Sequence, residues 1–161
     1  METIYIAGGT GLLGKILSDQ LSKNFKVIIH GNSKIADTQG DLTKYKIANE
    51  TLSSVQPDVI INLAALTNVD KCEEDQNMSF RLNTLIAKNL EEASQEVCPN
   101  ARHIFISTDQ VYDSSGDSRE DDLVILNAYT MGKLAGEIAS GPKAVCLRTN
   151  RSEEHTSELQ S

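Results

Sequence analysis

Thr3-Ile4-Tyr5-Ile6-Ala7-Gly8-Gly9-Thr10-Gly11-Leu12-Leu13-Gly14 is the stretch that decides how this chain folds. A short apolar, β-rich run drops directly into glycines and then into Leu13, Ile16, Leu17 and Leu21, which recur at helical spacing. Gly8, Gly11 and Gly14 fit GxxGxxG, and Gly9, Gly11 and Gly14 fit GxGxxG. Glycines in such a turn keep it tight, let the backbone approach a pyrophosphate, and let the helix pack close to the strand. The helix N-terminus, here Gly11, Leu12, Leu13 and Gly14, adds unpaired N–H groups and a partial positive charge. A glycine motif alone is weak evidence, but between a strand and a helix it predicts a dinucleotide site.

Outward from this turn the chain alternates buried-type strands with helical segments. Strands are predicted at Thr3–Ala7, Lys26–His30, 58–63, 103–107 and 143–147, with a short additional one at 40–42. Helices are predicted over 12–23, Tyr45–Val55 (stopped ahead of Pro57), 74–97 and Ala128–Ala139. The segment 74–97 reads as one long amphipathic helix with Met78, Leu82, Leu85, Ile86, Leu90, Ala93 and Val97 on one face. Apolar strands separated by helices predict an α/β, doubly wound parallel sheet of the Rossmann type.

Composition narrows the function. With 161 residues, 39% hydrophobic and 24% charged, the chain suits one soluble domain. A formal charge of −8 argues against a nucleic-acid partner, which needs a basic face. No signal peptide precedes the first strand, and no apolar stretch reaches the ~18–20 residues of a membrane span, so a cytoplasmic location without membrane attachment is expected. Cys72, Cys98 and Cys146 lack any CxxC pairing and read as reduced thiols, with no metal site expected.

The last eleven residues, Arg-Ser-Glu-Glu-His-Thr-Ser-Glu-Leu-Gln-Ser, have no hydrophobic period. They coincide with the codon-by-codon translation of a common short-read sequencing adapter, so 151–161 is expected to be a non-native tail. Removing its one arginine and three glutamates leaves a charge of −6 on residues 1–150. Those residues are then an incomplete NAD(P)-binding domain, truncated before a C-terminal substrate-binding part.

The second strand ends His30-Gly31-Asn32-Ser33-Lys34, without the acidic residue that grips ribose hydroxyls in NAD-preferring sites. Asn32, Ser33 and Lys34 are placed to bond a 2′-phosphate, which favours NADPH while leaving NADH open; a solvated loop lysine is the competing reading of Lys34. Tyr129 and Lys133 stand four apart on a predicted helix, so they share a face. A nearby cation is expected to lower the phenol pKa and let it exchange a proton with a carbonyl or alcohol. That spacing is common by itself. Thr108, at the C-terminal end of the 103–107 strand, adds a hydroxyl at the same crevice.

The segments GGTGLLG, Gly40-Asp41-Leu42, NLAALTNVDKCE (62–73), STDQVYD (107–113) and NAYTMGKLAGE (127–137) resemble the extended short-chain dehydrogenases/reductases. Within them the chain is most similar to the dTDP-4-dehydrorhamnose reductase group and its sugar-nucleotide-binding relatives. The resemblance covers residues 1–150 with the motifs in family order. It implies that Thr108, Tyr129 and Lys133 form a catalytic triad and that Asn83 supports a proton-relay water. It also implies that Asp41 and Leu42 contact adenine, and that Ala64, Ala65 and Thr67 pass along the cofactor. Gln110, where 4,6-dehydratases carry glutamate, and the TxVDxxE pattern at 67–73 favour a reductase. Departures are Leu126 in place of a usual proline and a short loop between Asp113 and Asn127.

The expected activity is NAD(P)H-dependent reduction of a nucleotide-linked 4-keto-6-deoxy sugar, with Tyr129 as proton donor, in dTDP-rhamnose biosynthesis. A cofactor-retaining epimerase or dehydratase, and a non-catalytic nucleotide-binding regulatory subunit, are the alternatives. Residues 1–150 alone are expected to be inactive, and a homodimer is left open for the full-length protein.

Overall fold

The computed structural model describes residues 1–112 and 116–150. The expected non-native tail at 151–161 lies outside them, as does Asp113 of the 107–113 motif. Five strands are present among the described residues: β1 (Thr3–Ala7), β2 (Lys26–His30), β3 (Val59–Asn62), β4 (Arg102–Thr108) and β5 (Val145–Thr149). They form a parallel sheet in the order β2-β1-β3-β4-β5. The helices are α1 (Leu12–Leu21), α2 (Tyr45–Val55), α3 (Val69–Glu74), α4 (Gln76–Phe80), α5 (Ile86–Val97) and α6 (Ala128–Ala139).

Alternation along each strand divides the core between the two sheet faces. Ile4, Ile6, Val59 and Ile61 meet Leu17 and Leu21 of α1, together with Phe25. Tyr5, Ala7 and Ile60 point the other way, into Leu52 of α2 and Ile86 and Leu90 of α5. Helices therefore cover both faces, the doubly wound α/β arrangement that the sequence predicts. The chain winds outward from β1 to β2, then crosses back to β3. Beyond the C-terminal ends of β1 and β3 lies the switch point where ligands bind in such folds.

Several boundaries differ from the sequence expectation. On α1 the buried line is Gly14, Leu17 and Leu21, whereas Leu13 and Ile16 are about half exposed. Gly14 causes this, because its close approach to Gly9 turns that flank of the helix toward the sheet. No strand forms at 40–42; only a bridge between His30 and Thr38 lies there. Instead, the Asp41 carboxylate accepts from Thr43 N at 3.0 Å and Thr43 Oγ1 at 2.6 Å, closing a turn.

The expected helix over 74–97 is divided. Asp75 accepts from Met78 N and so caps a new helix, and a π-helical turn at Arg81–Leu85 inserts an extra residue before α5. That shift explains why Met78 is exposed while Ile86, Leu90 and Ala93 are buried. The last strand starts two residues later than predicted, because Gly141 (φ 84°) and Pro142 draw Ala144 into a turn. On β5, Val145 and Leu147 are 56% and 45% exposed, on the sheet face they share with Ile104 and Ile106 of β4.

Candidate active site

The glycine turn sits at the switch point. Gly8 leaves β1 at φ 80°, where side chains are disfavoured, and a Cβ there would stand 2.8 Å from Ala64 N. A Cβ on Gly14 would stand 2.6 Å from Gly9 Cα. Gly8 N and Gly9 N both donate to the His30 carbonyl, at 3.0 and 2.9 Å, which ties the turn to the end of β2. Gly11 is the N-cap of α1 and contributes no side-chain cap, so the N–H groups of Leu12, Leu13 and Gly14 meet no carbonyl within the helix. A turn packed this closely on Ala64 and Gly9, with helix-terminal N–H groups left unpaired beside it, fits a pyrophosphate.

The adenosine side is built by the loop after β2. His30 is buried, with Nδ1 3.0 Å from Thr38 Oγ1 and Nε2 3.0 Å from Gly40 O. Burial lowers its pKa, so the ring is neutral, with Nε2–H donating to the carbonyl and Nδ1 accepting from the hydroxyl. One residue thus joins the phosphate turn, through its backbone, to the loop that carries Asp41 and Leu42. The Leu42 carbonyl accepts from Asn89 Nδ2 of α5 at 2.9 Å, fixing that loop against the helix layer. Asn32, Ser33 and Lys34 are exposed at the rim.

The loop after β3 closes the third side. Ala64 N donates to Asn62 Oδ1 at 3.0 Å, and the Ala64 backbone lies against Gly8. Ala65 is half-buried behind it and Thr67 is exposed. Asn83, in the π-helical turn, anchors this loop: its Oδ1 accepts from Leu66 N at 2.8 Å and its Nδ2 donates to Leu66 O at 3.1 Å. Its side chain therefore holds the loop rather than facing an open space. Gly132 and Gly136 let α6 press onto this turn, since a Cβ on Gly136 would lie 2.4 Å from Asn83 O.

Thr108 ends β4 and is buried, and its Oγ1 accepts from Gln110 N at 3.2 Å. Tyr129 stands in the first turn of α6, which an Asn127/Thr130 capping box initiates. Glu73 Oε1 accepts from Ala128 N at 2.6 Å and secures the same helix start. Burial pushes the Tyr129 phenol pKa up; the Thr108 side chain works against that rise, while Cys72 and Asp109 add to it. The expected lowering by Lys133 is absent here. Lys133 Nζ instead donates to Ile106 O at 2.6 Å and lies 4.2 Å from the centroid of the Phe105 ring. Burial pushes its pKa down to about 8, opposed by the Glu137 carboxylate one turn further along α6.

Thr108 and Tyr129 thus converge, with Lys133 on the same helix but directed beneath β4. Beyond Thr108 a cleft of about 540 Å³ is lined by Asp109, Gln110, Tyr112, Asp117 and Asn150, among others. Sequence reading gave Glu73 only as the end of the TxVDxxE pattern, without its bond to Ala128, and assigned no role to Glu137, Tyr112 or Arg148. The Lys133/Glu137 spacing of one helical turn was a usable signal for Glu137; Arg148 offered none. Among the described residues, no helix is long and apolar enough to cross a membrane.

Comparison with known proteins gives a consistent result. The family described as RmlD substrate binding domain matches residues 1–151. The dTDP-4-dehydrorhamnose reductase of Shigella flexneri is 35% identical over 142 residues, covering 84% of this chain and 46% of that protein. A hypothetical dTDP-4-dehydrorhamnose reductase from Sulfolobus tokodaii has a solved structure with TM-score 0.82 and 33% identity, covering 92% of this chain and 55% of that one. The dTDP-4-dehydrorhamnose reductase of Bacillus anthracis, solved in complex with NADP, gives TM-score 0.80 and 27% identity, covering 91% and 52%. This chain spans about half the length of the relatives it matches.

Proposed function

Because the chain belongs to the RmlD substrate binding domain family, we propose that it is the cofactor-holding half of an NADPH-dependent reductase of a nucleotide-linked 4-keto-6-deoxy sugar, of the dTDP-4-dehydrorhamnose type. The observation that carries this reading is the convergence of the glycine cradle, Thr108 and Tyr129 at one switch point. The NADP complex of the Bacillus anthracis relative supports the cofactor assignment. The acid-free His30–Lys34 rim agrees with it, since it presents no carboxylate to a 2′-phosphate.

NADPH, when bound, supplies the hydride. Leu12, Leu13 and Gly14 N–H groups bind its pyrophosphate, with Gly8 and Gly11 giving it room. Asn32, Ser33 and Lys34 would hold the 2′-phosphate, Asp41 and Leu42 would contact the adenine, and the loop of Ala64, Ala65 and Thr67 would pass along the cofactor. Thr108 orients the sugar carbonyl by donating to its oxygen. Tyr129 protonates that oxygen as it gains charge; a phenol pKa raised by burial keeps the proton on Tyr129 until then. Lys133 would hold the nicotinamide ribose and bring a positive charge to the Tyr129 phenol, in exchange for its bond to the Ile106 carbonyl. Asn83 keeps the 64–67 loop in register with this pair.

Most of the sugar recognition is assigned to the half of the relatives that this chain does not span. We assign the uncovered Val145 and Leu147 face to that half, and expect this chain alone to be inactive. The experiment is to measure NADPH consumption with dTDP-4-dehydrorhamnose, using the protein completed by its downstream half. Substrate-dependent loss of nicotinamide absorbance supports the reading, and no turnover with NADPH or NADH rejects it.

A further inference from the structure

Arg148, on the edge strand β5, makes four hydrogen bonds to three residues. Its Nε and Nη2 donate to the two Glu137 carboxylate oxygens of α6, at 2.9 and 2.7 Å. Its Nη1 donates to the Tyr112 hydroxyl and to the Glu120 carbonyl, both at 2.7 Å. The guanidinium also lies 5.3 Å from the centroid of the Tyr112 ring. The Arg148 and Glu137 side chains are only 18% and 12% exposed.

A largely buried ion pair contributes little net stability, because desolvation offsets its Coulombic gain. Its geometry is what distinguishes this one. Glu137 takes one edge of the planar guanidinium bidentately, which fixes the orientation of the other edge. That other edge grips Tyr112, four residues past Thr108, and the backbone of Glu120. Tyr112 lines the cleft beyond Thr108. The other named walls are Asp109 and Asp117, whose carboxylates accept from hydroxyl groups and disfavour phosphate, and Gln110 and Asn150, whose amides can both donate to and accept from a hydroxyl.

We propose that Arg148 is a positioning residue for the substrate-side cleft: braced by Glu137, it fixes Tyr112 and Glu120, so that the cleft Tyr112 lines keeps one shape for the hydroxyl-bearing sugar ring. The positioning stands on the geometry of the described residues, and the sugar as ligand rests on the reductase reading above.

Arg148→Lys tests it, because a lysine keeps the charge and a bond to Glu137 but has no planar fork to span all the partners. Amide hydrogen exchange in residues 116–122 is expected to rise roughly tenfold, the size of one lost charge-assisted hydrogen bond, while β4 and α6 hold their protection. In the completed protein, KM for dTDP-4-dehydrorhamnose is expected to rise about tenfold, with the NADPH Kd changing less than about twofold. Tyr112→Phe, which removes the hydroxyl but keeps the ring, raises KM in the same direction and adds little in the Arg148→Lys background.

Unchanged exchange at 116–122, or a rise spread evenly through β4 and α6, overturns the proposal. So does a parallel loss of sugar and NADPH affinity, the mark of a residue that only supports folding. Where the unsubstituted protein turns over no sugar nucleotide, the reductase reading falls. The exchange pattern then decides positioning on its own, a rise confined to 116–122 sustaining it and any other pattern rejecting it.

Discussion

Replacing Lys133 by methionine is predicted to stabilise this chain near neutral pH while removing the proposed chemistry. Lys133 is 3% exposed, and its pKa falls from 10.5 to about 8 through burial. Keeping an ammonium protonated against that fall costs about 3 kcal/mol relative to water. Methionine retains the apolar stem and removes the charge, while losing the bond to the Ile106 carbonyl gives back about 1 kcal/mol. The net gain of ~2 kcal/mol corresponds to a Tm increase of roughly 6 °C for a domain of this size.

The pH dependence has a definite sign. The folded pKa lies below the unfolded value, so between about 8 and 10.5 the unfolded chain holds the extra proton. Stability of the unsubstituted chain therefore climbs with pH across that window, and the destabilisation is present in full below it. The advantage of Lys133→Met should be largest at neutral pH and shrink toward pH 10.5. Thermal melts of both proteins over this range measure it. A methionine variant that is less stable at neutral pH, or a gap that ignores pH, would refute the reasoning and make Lys133 a structural strut for β4.

Three further outcomes are expected. Gly8→Ala places a methyl 2.8 Å from Ala64 N at φ 80°; isothermal titration should show NADPH binding weakened by at least ~30-fold, from about 2 kcal/mol of backbone strain. Asn83→Ala removes both bonds to Leu66, taking the side-chain acceptor from the half-buried Leu66 N–H and leaving the Leu66 carbonyl only the Cys72 thiol; urea unfolding should report a loss of about 2 kcal/mol. Lys34→Ala should narrow the preference for NADPH over NADH by several-fold, and more at low salt than at high, as an exposed charge acting on a 2′-phosphate requires.

Much of this architecture was legible because the signals are local. Each strand announces itself by an apolar run, and the 8–14 turn carries its glycines at a spacing that only close backbone approach explains. Where the expectation departed from the structure, a tertiary contact decided. The buried stripe of α1 is set by Gly14 against Gly9, and the single helix predicted over 74–97 is interrupted by the Asp75 cap and the π-helical turn that brings Asn83 to Leu66. At the site, Thr108 and Tyr129 were legible as residue types beside a crevice. The direction of Lys133 was not, because it depends on the Ile106 carbonyl and the Phe105 ring presented by β4. Arg148 was invisible for the same reason: its three partners are distant in sequence and give no periodic or motif signal.

In the proposed function, the glycine turn, Thr108 and Tyr129 serve one hydride transfer to a nucleotide-linked 4-keto sugar. The most direct measurement is single-turnover NADPH oxidation by the completed protein with dTDP-4-dehydrorhamnose, beside its Tyr129→Phe variant. One NADPH should be consumed per sugar reduced, with a rate at least ~100-fold lower in the variant while NADPH still binds. Undiminished oxidation by Tyr129→Phe, or tight NADPH binding with no sugar reduced by the unsubstituted protein, would contradict it.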